Sequence, residues 1–460
     1  MKSYTDVAAR LAHRAITNHK SKEVQLLGAC CLSDIMRIFA PNPPYSHSQL
    51  KQIFNVFFTQ LRGLADTSSP QFSRHYHLLE SLTQVSTFLV LLEFPEEEQD
   101  KSVVRLFRLL FNLCKEDLSI RVEKYFVEIF GQFLKELEQI SPALLDSMMI
   151  NLVPPFVEAN PAAFQLTCKV LQDFEMELER PIVQFVTDIM LGKEVESEIE
   201  SRDKQLKLIY VLLVQQPQLL SATVMQLQQL MEVEDEEERL ENITMFGDVF
   251  SSSGTKRTSP IYQQLFANLV KRCGDVSTDV RRLMAELLED YLVNRVEFRE
   301  HLSPWVNKLL IDRDDRVRKT AVHSLCQAGL IDPEILSPEI LQNIAERSRD
   351  RREGVRQTAL TGLAKLFKHH CSESWKLCRG LPIHAKRFSF IPRKLMSVLR
   401  SVNNQNSTQA LIPFMDQLMD QVSPQSDPIT SLSHVIHVRL RHPSPSLSIY
   451  LYSSYIHILR

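Results

Sequence analysis

The chain is 460 residues long, 44% hydrophobic and 24% charged, with a formal net charge of −3. These figures exclude a collagen-like, mucin-like or largely disordered polypeptide, and a protein that grips nucleic acid through charge spread over its whole surface. Glycine is the informative residue: eleven in 460, about 2.4% against a usual share of roughly 7%. Rossmann sheets, P-loops, propellers and barrels place glycine in tight turns and phosphate cradles, so a chain this poor in it reads most simply as all-α.

Taken from the N-terminus, residues 5–19 form an amphipathic stretch without the layout of a signal peptide, and no apolar run approaches the ~18–20 residues that span a bilayer. The expectation is a soluble cytosolic or nuclear protein with no membrane partner. The eight cysteines (Cys30, Cys31, Cys114, Cys168, Cys273, Cys326, Cys371 and Cys378) contain no Cys-x-x-Cys pair and read as reduced thiols of an intracellular protein.

The first long apolar helix, Val24–Phe39, ends in Ala40-Pro41-Asn42-Pro43-Pro44-Tyr45. On spacing alone two readings stay open. Proline cannot continue a helix, so the segment is a stiff terminator; or it is a preformed, low-entropy ledge against which a short peptide packs, with Asp34 and Arg37 one or two turns earlier. Further on, Val103, Leu106, Phe107, Leu110, Phe111 and Cys114 recur at helical spacing. After the polar break at 115–117 the stripe resumes at Val122, Tyr125, Phe126, Ile129, Phe130, Phe133 and Leu137, which predicts two amphipathic helices joined as a hairpin. Ser141-Pro142, Ser259-Pro260, Ser303-Pro304 and Ser337-Pro338 each place a capping hydroxyl before a proline suited to the first helical position.

The second half carries an internal repeat. Asp235, Asp275, Asp312 and Asp350 fall 40, 37 and 38 residues apart. Each precedes an apolar helix, predicted over 240–250, 280–292, 317–325 and 355–367, and the last three open on Val280-Arg281, Val317-Arg318 and Val355-Arg356. A period near 40 of this kind marks HEAT-type repeats, helix pairs that bury their apolar faces only by stacking on neighbours. Arg281, Arg318 and Arg356 are expected to pair from helix to helix with the turn aspartates Asp275, Asp312 and Asp350.

Charge is uneven: residues 171–240 carry 16 Asp/Glu against 6 Lys/Arg, and residues 301–400 carry 19 Lys/Arg against 10 Asp/Glu. Arg313, Arg316, Lys319, Arg347, Arg349, Arg351 and Arg352 are surplus to the arginine ladder. They form either a solvated face or a phosphate-binding face for nucleic acid or an inositol phosphate. No aromatics interleave with them, which argues against stacking on single strands.

The expected organisation is an N-terminal set of HEAT-like repeats over 1–250, regular repeats with a basic face over 251–420, and an irregular Ser-rich tail over 421–460. None of the common catalytic or nucleotide-binding motifs occurs, and His369-His370-Cys371 with Cys378 matches no zinc module. The chain reads as a non-enzyme with no metal.

Several stretches resemble the precocious-dissociation-of-sisters family, the HEAT-repeat regulators of cohesin. These are Val24–Tyr45 (VQLLGACCLSDIMRIFAPNPPY) and Gln60–Glu80 (QLRGLADTSSPQFSRHYHLLE), with Asn151–Pro155, Glu236–Leu240, Asp350–Arg356 and Gly362–Ala364. The similarity runs to about residue 400. Two positions of the proline element depart from the family's Ala-Pro-acidic-Ala-Pro-Tyr pattern: Asn42 replaces the acidic residue and Pro43 the second alanine, which weakens any contact that needs the carboxylate. The resemblance implies a nuclear, non-enzymatic scaffold on chromatin that binds the kleisin subunit of cohesin, the release factor Wapl and a sororin-like antagonist, with the short motifs docking at the proline element. It also implies inositol hexakisphosphate in a basic pocket, for which the seven surplus cations are the candidates on charge alone. The chain is far shorter than the family's members and starts inside their first helices, which reads as a fragment or a mispredicted gene product. The competing readings are a HEAT adaptor of another pathway, such as a nuclear-transport or phosphatase scaffold, and a solenoid that binds DNA directly.

Overall fold

A computed structural model of the chain describes residues 2–116, 118–191, 199, 201–251, 259–376, 387–388, 390–391 and 394. Among them every regular element is helical, as the glycine-poor composition and the 3.6-residue periodicity require. Two compact units divide at 227/228. The predicted boundary at 250 falls elsewhere because the helix that ends at Ser251 packs onto helices that follow it. The predicted tail over 421–460 lies outside the described residues, as do Cys378 and most of the Ser251–Arg257 connector.

The first unit comprises α1 (Lys2–Leu11), α2 (Arg14–Thr17), α3 (Lys22–Phe39), α4 (His47–Leu61), α5 (Phe72–Gln84), α6 (Glu96–Leu113), α7 (Ile120–Glu136), α8 (Pro142–Met149), α9 (Phe156–Ala159), α10 (Pro161–Asp173), α11 (Glu175–Met190) and α12 (Arg202–Gln215). Helices α3, α5, α7 and α10 pack side by side, and α4, α6 and α8 cover them. The hairpin foreseen around 115–117 is α6–α7. Phe107 and Phe111 of α6 meet Phe130 of α7 with ring centroids 4.6 and 4.7 Å apart, all three shut away from solvent. Ser141 accepts the Leu144 amide at 3.1 Å and Pro142 follows it at the first helical position, so the predicted cap forms.

The second unit follows from α13 (Val224–Leu230), through which the division runs. It holds α14 (Glu236–Ser251), α15 (Pro260–Leu269), α16 (Thr278–Glu286), α17 (Leu288–Asn294), α18 (Arg299–Leu310), α19 (Asp315–Ile331), α20 (Pro338–Arg347) and α21 (Glu353–Lys376). Helices α14, α16–α17, α19 and α21 form one layer, with α18 and α20 packed together in the other. The helix predicted over 280–292 is broken at Leu287 into α16 and α17.

The Ser303-Pro304 start is wrong. Pro304 lies inside α18, which begins at Arg299. Its missing N–H forgoes one helical hydrogen bond, but Phe298, Leu302 and Val306 are almost fully buried, and that packing draws the preceding turn into the helix. Ser259 does precede its helix, without a side-chain cap hydrogen bond.

Three arginines rivet successive repeats. Arg281 donates through its η1 nitrogen to the Asp275 and Val276 carbonyls of its own turn, at 2.9 and 3.0 Å. Its ε and η2 nitrogens fork onto both carboxylate oxygens of Asp312 in the next repeat, at 2.7 and 3.1 Å. Arg318 does the same with the Asp312 carbonyl and the Asp350 carboxylate, and Arg239 reaches Asp275. Each aspartate also accepts the amide two residues on, from Ser277, Asp314 and Arg352, so one carboxylate closes its own turn and receives the neighbour's guanidinium. Every pair therefore links one repeat to the next, whereas Arg356 meets only the Asp350 and Arg351 carbonyls among the described contacts.

The carbonyls five and six residues before each arginine correct the alignment of the first repeat. For Arg239 they belong to Glu234 and Val233, so Val233 occupies the turn position and Asp235 instead caps α14 through the Glu238 amide.

For Asp350, burial opposes the charged form, but the Arg318 hydrogen bond, the Arg352 amide and the charges of Arg318 and Arg347 outweigh it, leaving the carboxyl below the ordinary carboxylate range. A depressed folded-state pKa stabilises fully above the unfolded value near ~4 and is lost as pH falls through the folded one. Thermal melts should therefore be flat from pH 7 to 5 and drop below about pH 4, and Asp350→Asn should flatten that acid limb while lowering stability at pH 7.

Candidate peptide-docking site

The proline element sits between two helices whose ends hold it. Helix α3 stops at Ala40, whose extended backbone (φ −56°, ψ 137°) is the conformation a following proline favours; the Ala40–Pro41 peptide is cis. The chain turns back through a hydrogen bond from the Tyr45 amide to the Pro43 carbonyl at 2.8 Å. It then enters α4 through a reciprocal cap, with Gln49 N–H donating to Ser46 Oγ at 3.4 Å and Ser46 N–H to Gln49 Oε1 at 2.9 Å. Three prolines and a capping box leave the segment few conformations to lose when something binds.

Ala40, Pro41, Asn42 and Pro44 are exposed, and Pro43 and Tyr45 are half-buried. The Tyr45 hydroxyl is shut from solvent with no hydrogen-bond partner, and burial pushes its pKa up to about 12, so it stays a neutral phenol. A buried hydroxyl left unpaired costs about 1–3 kcal/mol. Asp34 and Arg37 form an ion pair at 3.0 Å on the solvent side of α3, both about half exposed. All eight candidate residues thus lie at one end of α3.

Sequence reasoning missed the rest of this surface. Val24, Leu27 and Ile38 are 37%, 45% and 50% exposed and, with exposed Cys31, share one helical face with Asp34. The signal was present: α3 buries Leu26, Ala29, Leu32, Ile35 and Met36, and its remaining apolar residues, at three- and four-residue spacing, define a second stripe that no core needs. Beside the ledge, Glu98 accepts from His47 Nε2 at 3.0 Å and Lys51 Nζ at 2.9 Å, tying α4 to the start of α6.

The seven candidate anion-binding residues lie along the inter-helix turns of the second unit, interleaved with carboxylates. Arg316 faces Asp314 and Asp279, Arg347 pairs with Asp350 and Arg352 with Asp315, while Arg313 donates to the Val276 carbonyl. Arg349 and Arg351 lie in the turn before α21, and Lys319 faces away into a groove between α19 and α21. Arg316, Arg347 and Arg352 are thus each paired with a carboxylate, and an anion at this ridge would compete with those pairs. His370 Nε2 donates to the Gly329 carbonyl oxygen at 2.8 Å, and the ring stacks on Phe388 at 4.8 Å. Among the described residues no helix is long and apolar enough to cross a membrane singly.

Paired helices repeating at about 40 residues, riveted by arginine–aspartate forks, define a HEAT-repeat α-solenoid. A family model described as "Sister chromatid cohesion protein PDS5 protein" matches residues 1–439. The chain is 30% identical over 402 residues to sister chromatid cohesion protein PDS5 homolog A of Gallus gallus and 29% identical to that of Homo sapiens, covering 86% of this chain and 29% of each relative. A solved structure described as "Structure of the Pds5-Scc1 complex and implications for cohesin function" superimposes with a TM-score of 0.76 at 19% identity, over 99% of this chain and 67% of that one; at this identity it speaks for the fold. The chain belongs to the PDS5 family of sister chromatid cohesion proteins, and spans about 29% of the length of these curated relatives.

Proposed function

We propose that this protein is a non-enzymatic scaffold in the nucleus that regulates cohesin, holding the kleisin subunit and docking short Wapl-type motifs on the ledge at the end of α3. A sororin-like antagonist would compete for the same ledge. Family membership supports the cohesin role, and the solved neighbour is a Pds5–Scc1 complex. The observation that carries the docking site is the ledge itself: a segment pinned at both ends by helix termini, presenting exposed proline faces next to an apolar stripe.

Calorimetric titration of the whole chain tests this with a Wapl-derived peptide and, separately, a kleisin segment. The double variant Pro41→Ala/Tyr45→Ala should weaken the Wapl peptide by at least ~30-fold, the effect of losing one hot spot of about 2 kcal/mol, with helical circular dichroism and kleisin binding unchanged. Asn42→Asp should tighten it by at least ~13-fold, the lower end, about 1.5 kcal/mol, of the range for one hydrogen bond to a charged group. Undiminished Wapl binding by the double variant removes the ledge from the function. Failure of the folded chain to bind either probe removes the cohesin role and leaves the solenoid standing.

A further inference from the structure

We propose that the groove between α19 and α21 is a second docking site, for an extended peptide segment carrying two acidic residues four positions apart. It lies in the second unit and depends on neither the ledge nor the cohesin reading.

The groove exists because of two glycines. A Cβ on Gly362 would sit 2.4 Å from Cys326 Sγ and 2.9 Å from its Cβ, so α19 and α21 are in closest contact there. At Gly354 the nearest atom to such a Cβ is the Lys319 Cδ at 3.9 Å, so a void opens where a side chain would stand. The cavity is about 320 Å³. The two glycine contacts run in the same sense along the chain, so the helices are parallel and Lys365 of α21 lies across from the region of Leu330. Eleven residues separate Lys319 from that point, about 16 Å at 1.5 Å per residue.

Its chemistry is cationic at both ends and polar between. Lys319 and Lys365 are exposed, and among the described residues neither has an ion pair, in contrast to the compensated arginines of the adjacent turns. His323, Gln327 and Thr361 line the middle, and Cys326 forms the floor. Burial pushes the Cys326 thiol up to about 12, so the floor is an inert wall rather than a nucleophile. An extended chain advances ~3.3 Å per residue and presents every second side chain to one face, so acidic side chains four positions apart, about 13 Å, lie on the groove side, and the long lysine side chains lean inward to meet one each, with the intervening backbone over the polar lining. Alternate residues of a strand point the same way, so Thr361 and Gln327 meet main-chain groups without a deep side-chain pocket.

A phage-displayed library of random dodecapeptides panned on the whole chain tests this. Enrichment of sequences with two Asp or Glu four apart is expected, and a synthetic peptide of the enriched sequence should bind less tightly as salt rises. Lys319→Glu and Lys365→Glu should each weaken it at least tenfold. Thr361→Trp, which fills the groove at an exposed helical position and leaves both lysines, should do the same. Pro41→Ala/Tyr45→Ala should leave it unchanged. A peptide with both acidic residues replaced by lysine should bind the Lys319→Glu/Lys365→Glu double variant, which also shows that variant to be folded. Absence of the spacing among enriched sequences, binding that survives the charge reversals or Thr361→Trp, or displacement of the peptide by a single-stranded oligonucleotide binding more tightly through the same lysines overturns the proposal.

Discussion

Arg281→Ala is expected to destabilise the second unit by about 3–5 kcal/mol, the cost of leaving a buried charge without its partner. Its side chain is 4% exposed and that of Asp312 10%, so neither recovers water when the other is removed. The loss has a particular form in a repeat array. Stability there is a sum of repeat and interface contributions, and Arg281 belongs to an interface. Urea unfolding of the variant should split into two transitions as the repeats on either side lose their coupling. Hydrogen exchange should show protection falling in α16 and α19 together. The double variant Arg281→Met/Asp312→Leu should cost less than either single truncation, because it removes both charges at once. A single transition at wild-type stability in Arg281→Ala would show that the fork contributes nothing.

Phe266→Ala is expected to cost a comparable ~3–5 kcal/mol, by a different route: a cavity that the surroundings cannot close. Phe266 is fully buried, stacks on Phe298 at 4.4 Å and meets Phe250 and Tyr291 edge-on at 5.0 and 5.3 Å. Those partners come from α14, α17 and the turn before α18, each anchored by its own helix, so collapse into the space is blocked from three sides. Phe266→Leu should recover more than half of the loss, and the lowered midpoint should be accompanied by an unchanged slope with denaturant. Near-neutral stability of Phe266→Ala, measured by denaturant titration, would mean that the cluster repacks.

The two variants differ in what the sequence could reveal about them. The Arg281–Asp312 fork was legible because a charged residue buried once per repeat leaves a periodic trace: Asp, then Val-Arg, at intervals of 37 and 38 residues. The trace failed where the residue type changed. Val233 stands where the other repeats have aspartate, and the nearest aspartate, Asp235, mimics the repeat's spacing while capping α14 instead. Which partner each arginine takes was also invisible, because reaching forward to the next repeat or back to its own turn uses the same residues. The aromatic cluster left no trace of its own; Phe250, Phe266, Tyr291 and Phe298 are each ordinary core residues of separate helices.

The ledge divides in the same way. Its prolines, its position at the end of an apolar helix and its family likeness are all local, and the sequence carried them. Its exposure is not local. Whether Pro41 and Tyr45 face solvent or core depends on how α4 packs on α3, and so does the solvent-facing stripe of Val24, Leu27 and Ile38.

By itself, then, the sequence determined the all-α class, the repeat, its period and the family, because each is set by spacing along one helix or by recurrence along the chain. Tertiary structure alone decided three matters. Pro304 is helical because Phe298, Leu302 and Val306 are buried around it. Arg316, Arg347 and Arg352 of the basic ridge are paired because Asp279, Asp314, Asp315 and Asp350 fold against them. Lys319 and Lys365 share a groove because Gly362 lets two helices touch at a residue 36 positions away, Cys326. Each depends on which side chains meet across repeats, and a periodic pattern repeated in every helix pair leaves that pairing unspecified until the pairs are stacked.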